Sequence, residues 1–169
     1  MIGKKQSSDT TKKLDPTKSL ERAGAIKSNH TTWSLTVGET EFKWGNRMDR
    51  VRIIRSGLPY ESIEVISKRV NIPIKQALQI FGMPQTTYNK KKKDHNLLSG
   101  RDSEVVLVLI ELLDYGLDVF NDEKEKFYRW LKKVNPSLGG VSPESLFDSI
   151  TGIQEVRNSL NRLEFGNMA

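Results

Sequence analysis

The stretch IPIKQALQIFGMPQTTYNKKKK, residues 72–93, decides how this chain folds. Pro73 suits the start of a helix, and the spacing predicts one over 74–81 with Ala77, Leu78 and Phe81 inward. Gly82 fits the left-handed position that stops a helix, because it has no Cβ to clash there. Pro84 then opens another helix that runs through Tyr88 to the lysines. Two helices joined by a tight glycine turn make a helix-turn-helix, whose second helix meets the DNA groove by its start. That start exposes Gln85, Thr86, Thr87 and Asn89. Gln and Asn can pair their donors and acceptors with adenine, and Thr can touch bases or phosphate. Lys90, Lys91, Lys92 and Lys93 lie one turn on, placed to neutralise backbone phosphates. The same run also reads as a solvated helix end that complements the helix dipole. Tyr88 either packs under the helix or bonds a phosphate.

Working upstream, Ile63, Ile66 and Val70 recur at helical steps, and Pro59 suits the first turn of their helix. A shorter helix holds Val51, Ile54 and Arg55 and ends at Gly57. In residues 33–44, WSLTVGETEFKW, apolar and polar residues alternate on both sides of Gly38, predicting a hairpin or an extended arm. Trp33 and Trp44 read as core or arm anchors rather than stacking platforms for single-stranded RNA. Residues 1–30 are rich in Lys, Ser, Thr and Asp, with Leu14, Leu20 and Ile26 as their large apolar side chains beyond the first two residues, so disorder is expected there.

Downstream, Arg101 to Leu117 forms a helix that is apolar nearly all round and must be covered on several sides. In so small a protein, part of that cover is expected from a second copy, which makes Val105, Val108, Leu109 and Leu112 candidate homodimer contacts. Asn121 is the expected N-cap of a helix over 122–133 that buries Phe127, Trp130 and Leu131. Asn135 to Gly140 is a loop. Ser142 and Thr151 are expected caps, with Pro143 at a first helical position and Leu146, Phe147 and Ile150 inward. Ile153, Val156, Leu160 and Leu163 mark the last helix. The fold class is therefore all-α, with a flexible N-terminal arm. It divides into an extension (1–45), a DNA-binding domain (46–100), central dimerising helices (101–133) and a C-terminal domain (134–169).

Charge separates the two ends. Residues 1–100 carry 19 Lys+Arg against 9 Asp+Glu, whereas residues 101–169 carry 8 against 12. A basic front suits a polyanion and an acidic rear suits something else, so two partners are expected. The chain has no cysteine, which excludes disulfides and thiolate chemistry. It has no long apolar run and no signal-peptide pattern, so a cytoplasmic protein without membrane contact is expected. His30 and His95 lack metal-ligand spacing, and GxSxG, P-loop and GxGxxG motifs are missing. Asp118, Asp122, Glu123 and Glu125 read as a helix's first turn rather than an acid–base pair. The expectation is a binding protein: no enzyme, no metal, no cofactor.

The C-terminal stretch FYRWLKKVNPSLGGVSPESLFDSITGIQEVRNSLNRLEFG resembles the Xre/MbcA/ParS antitoxins. The shared pattern is a Trp-Leu pair, Asn-Pro with a leucine-glycine turn, Pro-x-x-Leu, a Gly opening the last helix, and Leu-x-x-x-x-Phe-Gly. Upstream, LLSGRDSEVVLVLIELL is similar to that family's leucine-serine turn and central helix. The resemblance implies an Xre-like helix-turn-helix that represses its own operon, mapping onto Gln85 through Lys93. It also implies a last helix that obstructs the active-site cleft of a RES-domain toxin, an enzyme that degrades NAD. The toxin-binding positions it implies are Arg157, Asn161, Arg162, Glu164, Phe165 and Gly166. Asn89-Lys90-Lys91 stands where the family commonly has arginines, so no operator sequence carries over. The alternative is a stand-alone dimeric transcription regulator.

Overall fold

The computed structural model describes residues 32–166. The expectations for residues 1–30, including His30, lie outside that range.

The described chain opens with a hairpin, β1 (Trp33–Val37) and β2 (Thr40–Trp44), in antiparallel register from Trp33↔Trp44 to Val37↔Thr40. Its two-residue loop places Gly38 first, at φ 59°, a backbone setting that other residues adopt at a cost. Alternation puts Leu35, Val37 and Trp44 into the core. The twelve residues thus belong to the folded body and not to a free arm. Trp33 stacks on Trp44 with ring centroids 6.5 Å apart.

Seven α-helices follow among the described residues: α1 (Arg47–Ser56), α2 (Ser62–Val70), α3 (Ile74–Ile80), α4 (Gln85–Lys93), α5 (Gly100–Val119), α6 (Lys124–Lys132) and α7 (Ile150–Glu164). Two 3-10 turns, Pro136–Leu138 and Pro143–Leu146, link α6 to α7. No helix among the described residues is long and apolar enough to cross a membrane. Asn46 caps α1 by accepting from the backbone of Met48 and Asp49 at 2.9 and 3.0 Å. Pro59 does not sit in the first turn of α2 as expected: it precedes that helix and bridges to Leu97.

The centre of the body is α5. Val105, Val106, Leu107, Leu109, Ile110, Leu112 and Leu113 are all buried on it, and α1, α2, α7 and the hairpin pack around it. The cover expected from a second copy therefore comes from the chain itself. Val105, Leu109 and Leu112 are closed to a homodimer partner, and of the four residues assigned to one, Val108 alone keeps exposed surface. An apolar pattern tells how much cover a helix needs but not which chain supplies it.

Three capping expectations change. Asn121 and Asp122 are both left-handed turn residues (φ 54° and 61°), and Glu123 takes the N-cap position of α6. Thr151 lies inside α7; the cap is Ser149, whose hydroxyl accepts from Gly152 N at 3.1 Å. Ser142 precedes a 3-10 turn and makes no side-chain cap bond. Ile150, expected inward, is 38% exposed, and Leu163 is 40% exposed.

Two glycines let elements approach closely. A Cβ on Gly116 would lie 2.3 Å from the buried ring of Phe127, and one on Gly152 would lie 2.1 Å from the carbonyl oxygen of Leu146. Gly152 is the stricter case, because backbone cannot swing aside. Gly152→Ala should lower stability by about 1 kcal/mol, since overpacking of about 1–3 kcal/mol outweighs the roughly 1 kcal/mol of helix propensity gained. Urea denaturation of the two proteins checks this; equal or greater stability in the variant would show that the turn before α7 yields easily.

Candidate nucleic-acid interface and C-terminal helix

The turn between α3 and α4 is built by local hydrogen bonds. Met83 N donates to Leu78 O and Gly82 N donates to Gln79 O, both at 3.0 Å. This crossed pair is a Schellman closure, and it requires the left-handed residue that Gly82 supplies at φ 59°. Pro84 takes the N-cap position of α4, where its missing N–H costs nothing. Ala77, Leu78, Ile80 and Phe81 anchor the unit in the core.

On α4, Gln85, Thr86, Thr87, Asn89, Lys90, Lys91 and Lys93 are exposed. Tyr88 is not: it is buried, its ring lies against Tyr60 at 6.2 Å, and its hydroxyl donates to Glu64 Oε1 at 2.7 Å. Of the two readings left open for Tyr88, packing beneath the helix is the one observed, and the residue leaves the set of DNA contacts. Lys92 is also committed, because its amine donates to the same Glu64 oxygen and lies 6.0 Å from the Tyr88 ring. Glu64, on α2, thus fastens α4 from beneath by two of its side chains. The bonds from Lys92 and then Tyr88 hold its carboxyl below the usual range. Burial, and then the hydrogen bond to Glu64, push the Tyr88 hydroxyl well above its ordinary value. The hydroxyl therefore stays a donor at every working pH. Among the described residues, the other three lysines of the run, Lys90, Lys91 and Lys93, form no ion pair. Glu64 was missed from sequence; its position one helical turn from Lys68, on a helix remote from α4 in sequence, gives no signal of the contact.

The C-terminal helix α7 buries Ile153, Val156, Ser159 and Leu160. The six positions assigned to a protein partner separate on it. Arg157, Asn161 and Glu164 all meet Tyr115 of α5. The Tyr115 hydroxyl bonds Asn161 Oδ1 and Glu164 Oε2, and the Arg157 guanidinium lies over its ring at 5.2 Å. Arg162 faces the other way, with Ser137 Oγ at 3.5 Å. Phe165 is 66% exposed, and Gly166 follows it at φ 65°. The loop before α7 is bound to the same helix, since Asn135 Nδ2 donates to Ser159 Oγ at 3.3 Å. Among the described residues no group of three or more His, Asp and Glu side chains is gathered to hold a metal ion.

Comparison with known proteins matches this division. One family model, described as the antitoxin Xre-like helix-turn-helix domain, covers residues 49–110. A second, the antitoxin Xre/MbcA/ParS C-terminal toxin-binding domain, covers residues 116–166. The chain is similar to an antitoxin Xre of Photorhabdus laumondii, 27% identical over 114 residues, 68% of this chain and 77% of that protein. It is similar to an antitoxin Xre of Yersinia enterocolitica, 27% identical over 113 residues, 67% of this chain and 76% of that protein. It is also similar to a Sphingobium protein called Prs ADP-ribosylating antitoxin, 28% identical over 130 residues, 72% of this chain and 82% of that protein. The two family models follow one another along the chain in the order the fold shows, so the chain carries an antitoxin Xre-like helix-turn-helix domain ahead of an antitoxin Xre/MbcA/ParS C-terminal toxin-binding domain.

Proposed function

We propose that this antitoxin blocks the active-site cleft of a RES-type, NAD-degrading toxin with the end of α7, and represses its own operon through α4. The observation that carries the toxin half is the exposed end of α7. Leu163 and Phe165 are apolar and solvent-facing there, beside the cation of Arg162, inside the matched toxin-binding domain. Large exposed aromatics beside an arginine are the residue types that dominate protein interfaces. The NAD link rests on the family resemblance, and the ADP-ribosylating chemistry named for the Sphingobium relative is consistent with it, since NAD is the usual ADP-ribose donor. In this reading the chemistry belongs to the partner, and the chain works in the cytoplasm, where operator and NAD both are. The DNA half rests on the polar, exposed start of α4 and the free lysines of its last turn.

Two experiments test these halves. Co-expression with the product of the adjacent reading frame should preserve both growth and cellular NAD, which that product alone depletes. Phe165→Ala and Arg162→Ala should each weaken the purified complex by about 2 kcal/mol, roughly thirtyfold in Kd. Intact NAD in cells expressing the partner alone would remove the RES assignment, and unchanged affinity in both variants would move the toxin contact off this end of α7.

For DNA, replacing Lys90, Lys91 and Lys93 together with Ala should flatten the plot of log K against log salt by about 0.9 for each phosphate no longer neutralised. Lys92→Ala should flatten it least, because that amine already faces Glu64. Binding isotherms at several salt concentrations on the gene's own upstream DNA make the comparison. An unchanged slope in the triple variant would place DNA on another surface.

A further inference from the structure

Tyr115 lies on α5, just outside the segment matched by the toxin-binding model, yet it touches three of the residues assigned to the toxin. Its hydroxyl lies within hydrogen-bond reach of Asn161 Oδ1 and Glu164 Oε2. A hydroxyl has one proton to give, and the carboxylate is the stronger acceptor, so the bond to Glu164 is the charge-assisted one. The ring holds the Arg157 guanidinium over its face at 5.2 Å. Asn161 and Glu164 belong to the last turn of α7, where Asn161 O still accepts from Phe165 N at 3.0 Å but the carbonyls after it have run out of helix, and such a turn frays first. Beyond Ile153, Val156, Ser159 and Leu160 the helix fully buries no side chain, and Leu163, the apolar residue of its last turn, is 40% exposed, so full burial does not reach this turn. The Tyr115 contacts do.

We propose that Tyr115 is a positioning residue for toxin binding: it locks the last turn of α7 and so presents Arg162, Leu163 and Phe165 in a fixed geometry. This rests on the reading that the end of α7 meets the toxin. A terminal turn held in its bound form loses less freedom on association, and that difference appears as affinity. Arg157 and Glu164 act in this account through Tyr115 and through their own side chains at the surface. The guanidinium over the ring face and the carboxylate at the hydroxyl keep the set together, and burial with the Glu164 bond keeps the hydroxyl protonated.

The test uses the full chain with Tyr115→Phe, which keeps the ring beneath Arg157 and removes the hydroxyl. In the free variant, amide hydrogen exchange at residues 161–165 should quicken about tenfold, the loss expected for one charge-assisted bond, while residues 153–158 keep their protection. Affinity for the purified product of the adjacent reading frame should fall about tenfold. Glu164→Ala should lower it too, and the two changes combined should cost little more than either alone, because both break one bond. Unchanged exchange at 161–165 would overturn the lock. Faster exchange with unchanged affinity, in a protein whose Phe165→Ala form binds poorly, would overturn the positioning role while leaving the toxin site in place. Fully additive losses would show that Tyr115 and Glu164 act separately and would overturn the shared bond. If Phe165→Ala and Tyr115→Phe both bind as the native chain does, the toxin reading of this end fails and the proposal falls with it.

Discussion

The structure depends on burying one helix on every side. A surface helix offers one apolar stripe, but α5 is apolar around most of its circumference and can exist in water only inside a wrapping. The hairpin, α1, α2 and α7 supply it. Of the helices among them, two belong to the DNA-binding half and one to the toxin-binding half, so a single twenty-residue helix serves as the core of both. Neither family model covers residues 111–115, yet these join the halves. Glu111 accepts from the Trp44 indole at 2.8 Å and from Arg50 at 3.1 and 3.2 Å. Asp114 accepts from Arg69 at 2.8 Å, and Tyr115 reaches α7. Burying a carboxylate such as Glu111 is costly, and pairing it with two donors offsets that cost rather than adding net stability. What it gives is direction, because a buried charge accepts only the arrangement that satisfies it, and this one fixes the hairpin and α1 against α5.

Most of the helix order was legible in the sequence. Gly82 and Pro84 located the turn because each has a backbone requirement that few other residues meet. The periodicity of Ile63, Ile66 and Val70, and of Ile153, Val156 and Leu160, gave the buried faces correctly. The misses have a common cause. Caps depend on which of several neighbouring polar residues turns its side chain back on the helix, and Ser149 and Thr151 are equally able to do so by composition. Most of the contacts of α5 are made with elements remote in sequence, α1, α2 and α7. A local pattern could show that Val105, Leu109 and Leu112 needed cover, but not that α1, α2 and α7 would provide most of it.

The same limit applies to the functional residues. The lysine run and the arginines of α7 were legible as charged side chains on exposed helix faces, and that is all a one-dimensional pattern can say. Whether a charged group is free depends on its neighbours in space. Lys92 shares Glu64 with Tyr88, and Arg157 rests on Tyr115, so each is already partly satisfied before any ligand arrives. A group in that condition gains less from a phosphate or a carboxylate than a free one, since the new contact replaces an old one.

This shifts where binding energy can come from on each face. On α4, Lys90, Lys91 and Lys93 form no ion pair among the described residues, and Gln85, Thr86, Thr87 and Asn89 are exposed. Phosphate contacts set affinity and register while base contacts set choice of sequence, so in the DNA reading proposed above the two groups would have separate duties. On α7, Arg157, Asn161 and Glu164 are tied to the fold through Tyr115, Arg162 meets Ser137, and the exposed apolar side chains are Leu163 and Phe165. An exposed phenylalanine at a helix's outer turn is unfavourable in the free protein and is relieved only when something covers it. The polar set around Tyr115 holds that side chain out in the meantime. It does so with bonds that need no partner, which is why the end of a helix whose last turn fully buries no side chain can still be a defined surface.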